Sequence, residues 1–180
     1  MRNAFSRLAV FMAACVTGLA GCASHPPLST VEKVDLTRYT GRWYEIARLP
    51  QWFEQDATAV TAEYVAGPDG KVSVINTCHK GSPTGPLEQA RGTARVVDAP
   101  VNAKLKVSFF WPFEGDYWIL RLTPDYSAAA VGSPDRKTLW LLSRTPTMDA
   151  VLYDKWTREL SADGFDVSHL IRTEQSAGQM

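Results

Sequence analysis

The sequence predicts an all-β domain, an eight-stranded antiparallel up-and-down barrel with one C-terminal α-helix packed against its outer wall. Three observations carry this. About eight β-prone segments follow one another between residues 41 and 144, separated by turn signals, with no helical period among them. A helical period appears only afterwards, where Met148, Leu152, Trp156 and Leu160 recur every four residues. A sheet of that size in a small domain closes on itself or splits into two layers. Eight strands closed up and down leave an interior wide enough for one small ligand.

The first residues stand apart from this domain. Arg2 and Arg7 make a basic start, and residues 8–19 are apolar and small. That run is too short to span a bilayer and has the form of a signal peptide. It ends in Leu19-Ala20-Gly21-Cys22, which resembles a bacterial lipobox. The resemblance implies cleavage before Cys22, a diacylglycerol on its thiol and an acyl group on its new amino terminus. Ala23 follows where an Asp would mark inner-membrane retention, which favours the outer membrane. The expected divisions are a signal peptide over residues 1–21, a lipidated tether over 22–33 containing Pro26 and Pro27, and one domain over 34–175. Each buried CH₂ adds ~0.8 kcal/mol of membrane affinity, so three acyl chains on one residue make an almost permanent anchor.

Composition narrows the function. The formal net charge is zero and no Lys/Arg run occurs, so no basic field is present to attract nucleic acid. Of the three cysteines, Cys15 leaves with the leader and Cys22 is the lipidation site. Cys78 is left alone, so no internal disulfide is available and the domain rests on its buried core.

Taken in order, residues 34–39 include Asp35-Leu36-Thr37-Arg38, a one-turn helix leading to Gly41. Gly41 to Pro50 is the first strand, with Trp43, Glu45 and Ala47 on one face and Tyr44, Ile46 and Arg48 on the other. A glycine two residues before a tryptophan lets backbone approach closely where the ring enters a closed end. Residues 51–58 carry Trp52, Phe53, Glu54 and Asp56, and the two aromatics are expected to cover a core edge. Residues 58–65 alternate, with Val60, Ala62 and Tyr64 on one face. Pro68-Asp69-Gly70 is a hairpin signal. Residues 71–79 present Val72, Val74, Asn76 and Cys78 together. After a Gly/Pro loop, residues 87–97 place the small Ala90, Gly92 and Ala94 on one face, leaving room beside them.

Residues 104–111 alternate sharply, with Leu105, Val107, Phe109 and Trp111 on one side. Strands over 117–122, 126–131 and 137–144 follow, separated by Pro124-Asp125 and Ser133-Pro134-Asp135. Pro146-Thr147 opens the helix, with Thr147 as the expected N-cap and Asp149 in the first turn. Gly164 closes it as the C′ residue. Its one apolar stripe belongs on the outer wall, and residues 166–172 add a short final strand.

Three stretches together resemble the lipocalin family: Gly41-Arg42-Trp43 on the first strand, Thr123-Pro124-Asp125-Tyr126 between two late strands, and Arg144 at the end of the last strand. Pro124 departs from the family's usual Thr-Asp-Tyr. Residues 41–49, 105–113 and 138–146, with the lipobox, resemble the bacterial, apolipoprotein D-like branch of that family. The resemblance implies that Arg144 lies across Trp43, closing the barrel base beside Gly41, and that a ligand cavity opens at the other end. With Arg144 at the inside base, alternation turns Trp140 and Leu142 inward, with Leu139 and Leu141 facing the helix. The same reasoning points Leu105, Val107, Phe109, Trp111, Tyr117, Ile119, Tyr64 and Val74 inward. These residues describe an apolar, aromatic cavity suited to an acyl chain. Arg48, Arg95 and Arg121 are candidates to meet an acidic headgroup at its mouth.

The resulting expectation is a non-enzymatic lipocalin, anchored in the outer membrane facing the periplasm. It would bind a fatty acid or (lyso)phospholipid for storage or transport in envelope maintenance. A homodimer is an open possibility, through exposed Trp and Phe residues near the loops. Three rival readings stand beside it. Cys78 is the one candidate thiol for a barrel enzyme, but His79 faces the opposite side of its strand. Haem or metal binding is the second, but His25, His79 and His169 are far apart and lack metal-ligand spacing, so no cofactor or metal is expected. A purely structural lipoprotein needs a filled barrel, against which Ala90, Gly92 and Ala94 argue.

Overall fold

The computed structural model describes residues 26–67 and 71–176. The leader, Cys22 and the Pro68-Asp69-Gly70 turn lie outside the described residues. The alternating segments form β1 (Gly41–Arg48), β2 (Ala57–Ala66), β3 (Val72–Lys80), β4 (Leu87–Val96), β5 (Lys104–Phe110), β6 (Phe113–Leu122), β7 (Ala128–Gly132) and β8 (Leu139–Ser143). Each pairs antiparallel with the next. The first half of β1 pairs with β2 and its second half with β8, which closes the ring and leaves no free edge. A two-residue strand β9 (Ile171–Arg172) is added beside the end of β1.

The closed end is built around Gly41, Trp43 and Arg144. Helix α1 (Leu36–Tyr39) is capped by Asp35, whose carboxylate accepts from the Thr37 amide at 2.9 Å. The chain then enters β1 through Gly41 at φ +90°, where a Cβ would sit 3.4 Å from Arg144 Nη1. Trp43 is fully buried, and its indole N–H donates to the Tyr39 carbonyl at 2.8 Å. The Arg144 guanidinium lies 3.8 Å over the Trp43 ring. Its N–H groups donate to the carbonyls of Arg38, Tyr39, Thr40, Arg42 and Tyr126.

Pro124 is absorbed in the turn before β7. The Ser127 amide donates to the Thr123 hydroxyl and the Asp125 carboxylate. Hydrogen bonds from the Thr123 and Ser127 hydroxyls, with the one from the Ser127 amide, lower the Asp125 carboxyl to about 2. Tyr126 takes φ +63° in that turn, which is why β7 starts at Ala128 rather than at the expected 126.

Helix α2 (Ala150–Ala162) lies outside the barrel, burying Tyr153, Trp156 and Leu160 against Ile46, Leu120, Leu139 and Leu141. Small outward residues on β7, Ala128 and Ala130, let the helix pack close to the wall. The helix begins later than expected. Asp149 is the N-cap, its carboxylate accepting from the Leu152 amide at 2.9 Å. The Thr147 carbonyl is instead taken by the Ser143 and Thr145 hydroxyls. At the other end Gly164, at φ +94°, donates to the Ser161 carbonyl and Phe165 to that of Leu160. These two bonds are a Schellman stop with Phe165 folded back on Leu160.

A bulge in β1 decides what the barrel contains. Glu45 pairs with Leu142 and Ala47 with Leu141, so Ile46 is an extra residue without a partner. Parity flips there. Ile46 and Ala47 both face the helix, and Arg48 turns to the side of Glu45. The expectation that Arg48 would share a face with Tyr44 and Ile46 fails for this reason.

Candidate functional site: an apolar cavity open at one end

The lower half of the barrel is filled. Val34 from the N-terminal segment packs there with Trp43, Leu105, Ile119, Ala129 and Val131. Above this plug lies a cavity of about 730 Å³, open away from Arg144. That volume lies within the roughly 300–1,000 Å³ usual for small-molecule sites.

Its floor is formed by Tyr64 and Tyr117, backed from below by Tyr39. Tyr117 Oη bonds Tyr39 Oη at 2.9 Å and Tyr64 Oη at 2.8 Å. Burial raises the pKa of all three, Tyr64 to about 12, so the floor is polar and uncharged. Three hydroxyl protons share two links, which leaves one proton over in the row. The walls are apolar and aromatic, formed by Val60, Val74, Val107, Phe109, Trp140 and Leu142. Trp52, Phe53, Phe110, Phe113 and Pro134 stand at the lip.

Of the side chains expected to line the cavity, the fold brings together Tyr64, Val74, Val107, Phe109, Tyr117, Trp140 and Leu142. Leu105 and Ile119 point inward but sit in the plug below the floor and do not line it. Trp111 is a correction. The inward alternation stops at Phe110, the register closes as Phe110↔Phe113, and Trp111 stands in the turn, 91% exposed. The room expected beside Gly92 is taken by Phe109, whose ring would lie 2.9 Å from a Cβ at that position. Ala94 is buried and Ala90 is exposed.

The mouth also differs from expectation. Arg95 is exposed and paired with Glu114, and Arg121 is held on the outside by Glu159 and Asp163 of α2. Arg48 is buried, donating to Glu45 Oε1 at 2.7 Å and to the Glu54 carbonyl. None of the three is a free cation at the lip. Trp52 and Phe53 do not cover a core edge; both are exposed on a 3₁₀ turn (Trp52–Glu54) at the mouth.

Polar groups also enter the cavity wall, among them Thr61, Asn76 and Thr138, and two acidic ones, Glu45 and Glu54, were not anticipated as site residues. The one signal for them was Glu45 sharing a strand face with Trp43. Burial raises the Glu45 carboxyl against the pull of Arg48 and Thr173. Burial, with help from Glu45, raises Glu54 to about 7, although the Trp140 indole N–H donates to it at 3.1 Å. Folded Glu54 therefore holds its proton more tightly than the unfolded chain does. Its contribution to stability is full below the ordinary value of 4.5 and is lost as pH rises through about 7. The urea midpoint is expected to fall between pH 5 and pH 8, and Glu54→Gln to flatten that fall. An unchanged pH dependence in the variant would contradict this placement.

Cys78 is half-buried on β3 and does not line the cavity. Burial is the main cause that raises its thiol pKa, and the nearby Lys80 only partly opposes this. Among the described residues no cluster of His, Cys, Asp and Glu is arranged to hold a metal ion.

A closed eight-stranded barrel with an apolar, one-ended cavity and an arginine stacked on a base tryptophan defines a carrier-type fold for a small hydrophobic molecule. The family model described as a lipocalin-like domain matches residues 34–175, and the chain belongs to the lipocalin family. It is 40% identical over 169 residues to the outer membrane lipoprotein Blc of Vibrio cholerae, covering 93% of this chain and 98% of that one. It is 30% identical over 164 residues to apolipoprotein D of Macaca fascicularis, covering 87% and 84%. Among solved structures, insecticyanin from the tobacco hornworm Manduca sexta superposes with a TM-score of 0.67 at 23% identity, covering 87% of this chain and 88% of that one. That likeness bears on the fold alone.

Proposed function

We propose that this lipocalin binds a fatty acid or (lyso)phospholipid while anchored through a lipidated Cys22 to the outer membrane, facing the periplasm. Residues 1–21 are then a cleaved leader and residues 22–33 a tether. The observation that carries the reading is the cavity itself, deep, walled by Trp140, Phe109 and aliphatic side chains, and closed by neutral hydroxyls. Such a site holds a chain by buried area rather than by charge. The relatives named as outer membrane lipoproteins, in Vibrio cholerae and in Escherichia coli, support the location. A tether raises the effective concentration of membrane lipid at the mouth, which favours a role in lipid storage or transport for envelope maintenance.

The test is displacement of a fluorescent fatty acid from the mature chain by unlabelled competitors. Saturated and monounsaturated fatty acids and lysophospholipids should compete, while short-chain acids should not. Failure of any long-chain lipid to displace the probe, or of the probe to bind, would overturn the reading.

A further inference from the structure

All five exposed Trp and Phe side chains among the described residues stand at the open end of the barrel: Trp52 (82%), Phe53 (50%), Phe110 (79%), Trp111 (91%) and Phe113 (77%). They come from two separate elements, the 3₁₀ turn after β1 and the β5–β6 hairpin. Trp52 and Phe53 support each other edge to face, with centroids 5.6 Å apart. The aromatic residues of the closed end, Tyr39 and Trp43, are by contrast buried. Exposed apolar surface gathered at one end of a molecule marks an interaction site.

The N-terminal segment says what covers it. The Pro26 carbonyl accepts from Arg136 in the loop between β7 and β8, and Pro134 of that same loop lines the cavity mouth. Three residues stand between Cys22 and Pro26, and the four steps of chain reach at most about 14 Å. An acyl-anchored Cys22 therefore enters its membrane on the side of the barrel where the aromatic rim lies.

We propose that the open rim docks on the lipid bilayer, with Trp52, Phe53, Phe110, Trp111 and Phe113 seated at the headgroup level. The barrel then stands mouth-down on the membrane that holds its anchor. Tryptophan and phenylalanine suit this depth because the ring is apolar, and the indole N–H of tryptophan can also bond to a headgroup or to water. Since four of the five side chains also line the mouth, docking opens the cavity directly to acyl chains, without passage through water. The inference rests on the lipidation of Cys22 proposed above.

The test uses the lipidated chain in phosphatidylethanolamine/phosphatidylglycerol vesicles with brominated acyl chains, which quench indole emission on contact. The vesicle-bound chain is expected to be quenched, and Trp52→Phe/Trp111→Phe to lose most of that quenching. A chain that floats with the vesicles but is quenched only by aqueous iodide would overturn the docking and leave the anchor standing. If the chain floats no better than Cys22→Ser, the anchor fails. Quenching of either chain at lipid excess then upholds the docking, and its absence overturns both. An unquenched chain that is a dimer in solution, dissociated by Trp111→Ser, would overturn the docking in favour of a second copy covering the rim.

Discussion

Replacing Arg144 by Ala is expected to destabilise the barrel by about 3 kcal/mol. Two losses combine. The guanidinium stacks on Trp43 at 3.8 Å, and a half-buried cation–π contact of this kind contributes ~1–2 kcal/mol. It also bonds five carbonyls, which tie α1, the entry to β1 and the Tyr126 turn into one unit. Those carbonyls become partly reachable by water in the variant, so the bonds do not add in full. Arg144→Lys keeps a charge but lacks the planar fork that serves several acceptors at once, and should lose roughly half as much. Urea denaturation reads both values. A loss below about 1 kcal/mol for Arg144→Ala would mean that the residue behaves as an ordinary surface cation.

The second large effect is on binding. Trp140 forms the upper wall on β8, with its neighbours Leu139 and Leu141 buried on the opposite face against α2. Trp140→Ala is expected to weaken the binding of a long-chain fatty acid about 70-fold, from roughly 100 Å² of lost contact at about 25 cal/mol per Å². The barrel should remain folded, because the outer face of β8 is untouched. Trp140→Phe separates the two roles of the ring. It keeps most of the apolar contact but removes the N–H that bonds Glu54, so affinity should recover while the pH behaviour of Glu54 shifts upward. Unchanged affinity in Trp140→Ala would remove this side chain from the ligand's path.

These residues also show how far a sequence of this kind can be read. Strand alternation told inside from outside correctly for Trp140 and Leu142 against Leu139 and Leu141, because one face of β8 is covered by α2 and the other is enclosed. It carried no information on height within the barrel. Leu105 and Ile119 are inward, yet they lie in the plug, because Val34 and Trp43 fill the base up to the tyrosine row. Trp111 was misplaced by extending an alternation one residue past the end of its strand, into the turn it makes with Pro112.

Ala47 and Arg48 were misread for a different reason. A single extra residue, Ile46, reverses parity, and nothing in the local composition announces such a bulge. The helix was clear from its stripe, whereas its start was not. Thr147 and Asp149 are both good caps, and the choice was made by Ser143 and Thr145, whose hydroxyls claim the Thr147 carbonyl. The tyrosine floor was hidden for the same kind of reason, since it joins α1, β2 and β6 only after the ring closes.

The most direct test of the central claim is native mass spectrometry of the unlipidated mature chain, followed by denaturing extraction of what travels with it. The cavity predicts a near-stoichiometric fatty acid or lysophospholipid, diminished in Trp140→Ala. A chain that arrives empty, and stays empty when a long-chain fatty acid is added in excess, would contradict the account.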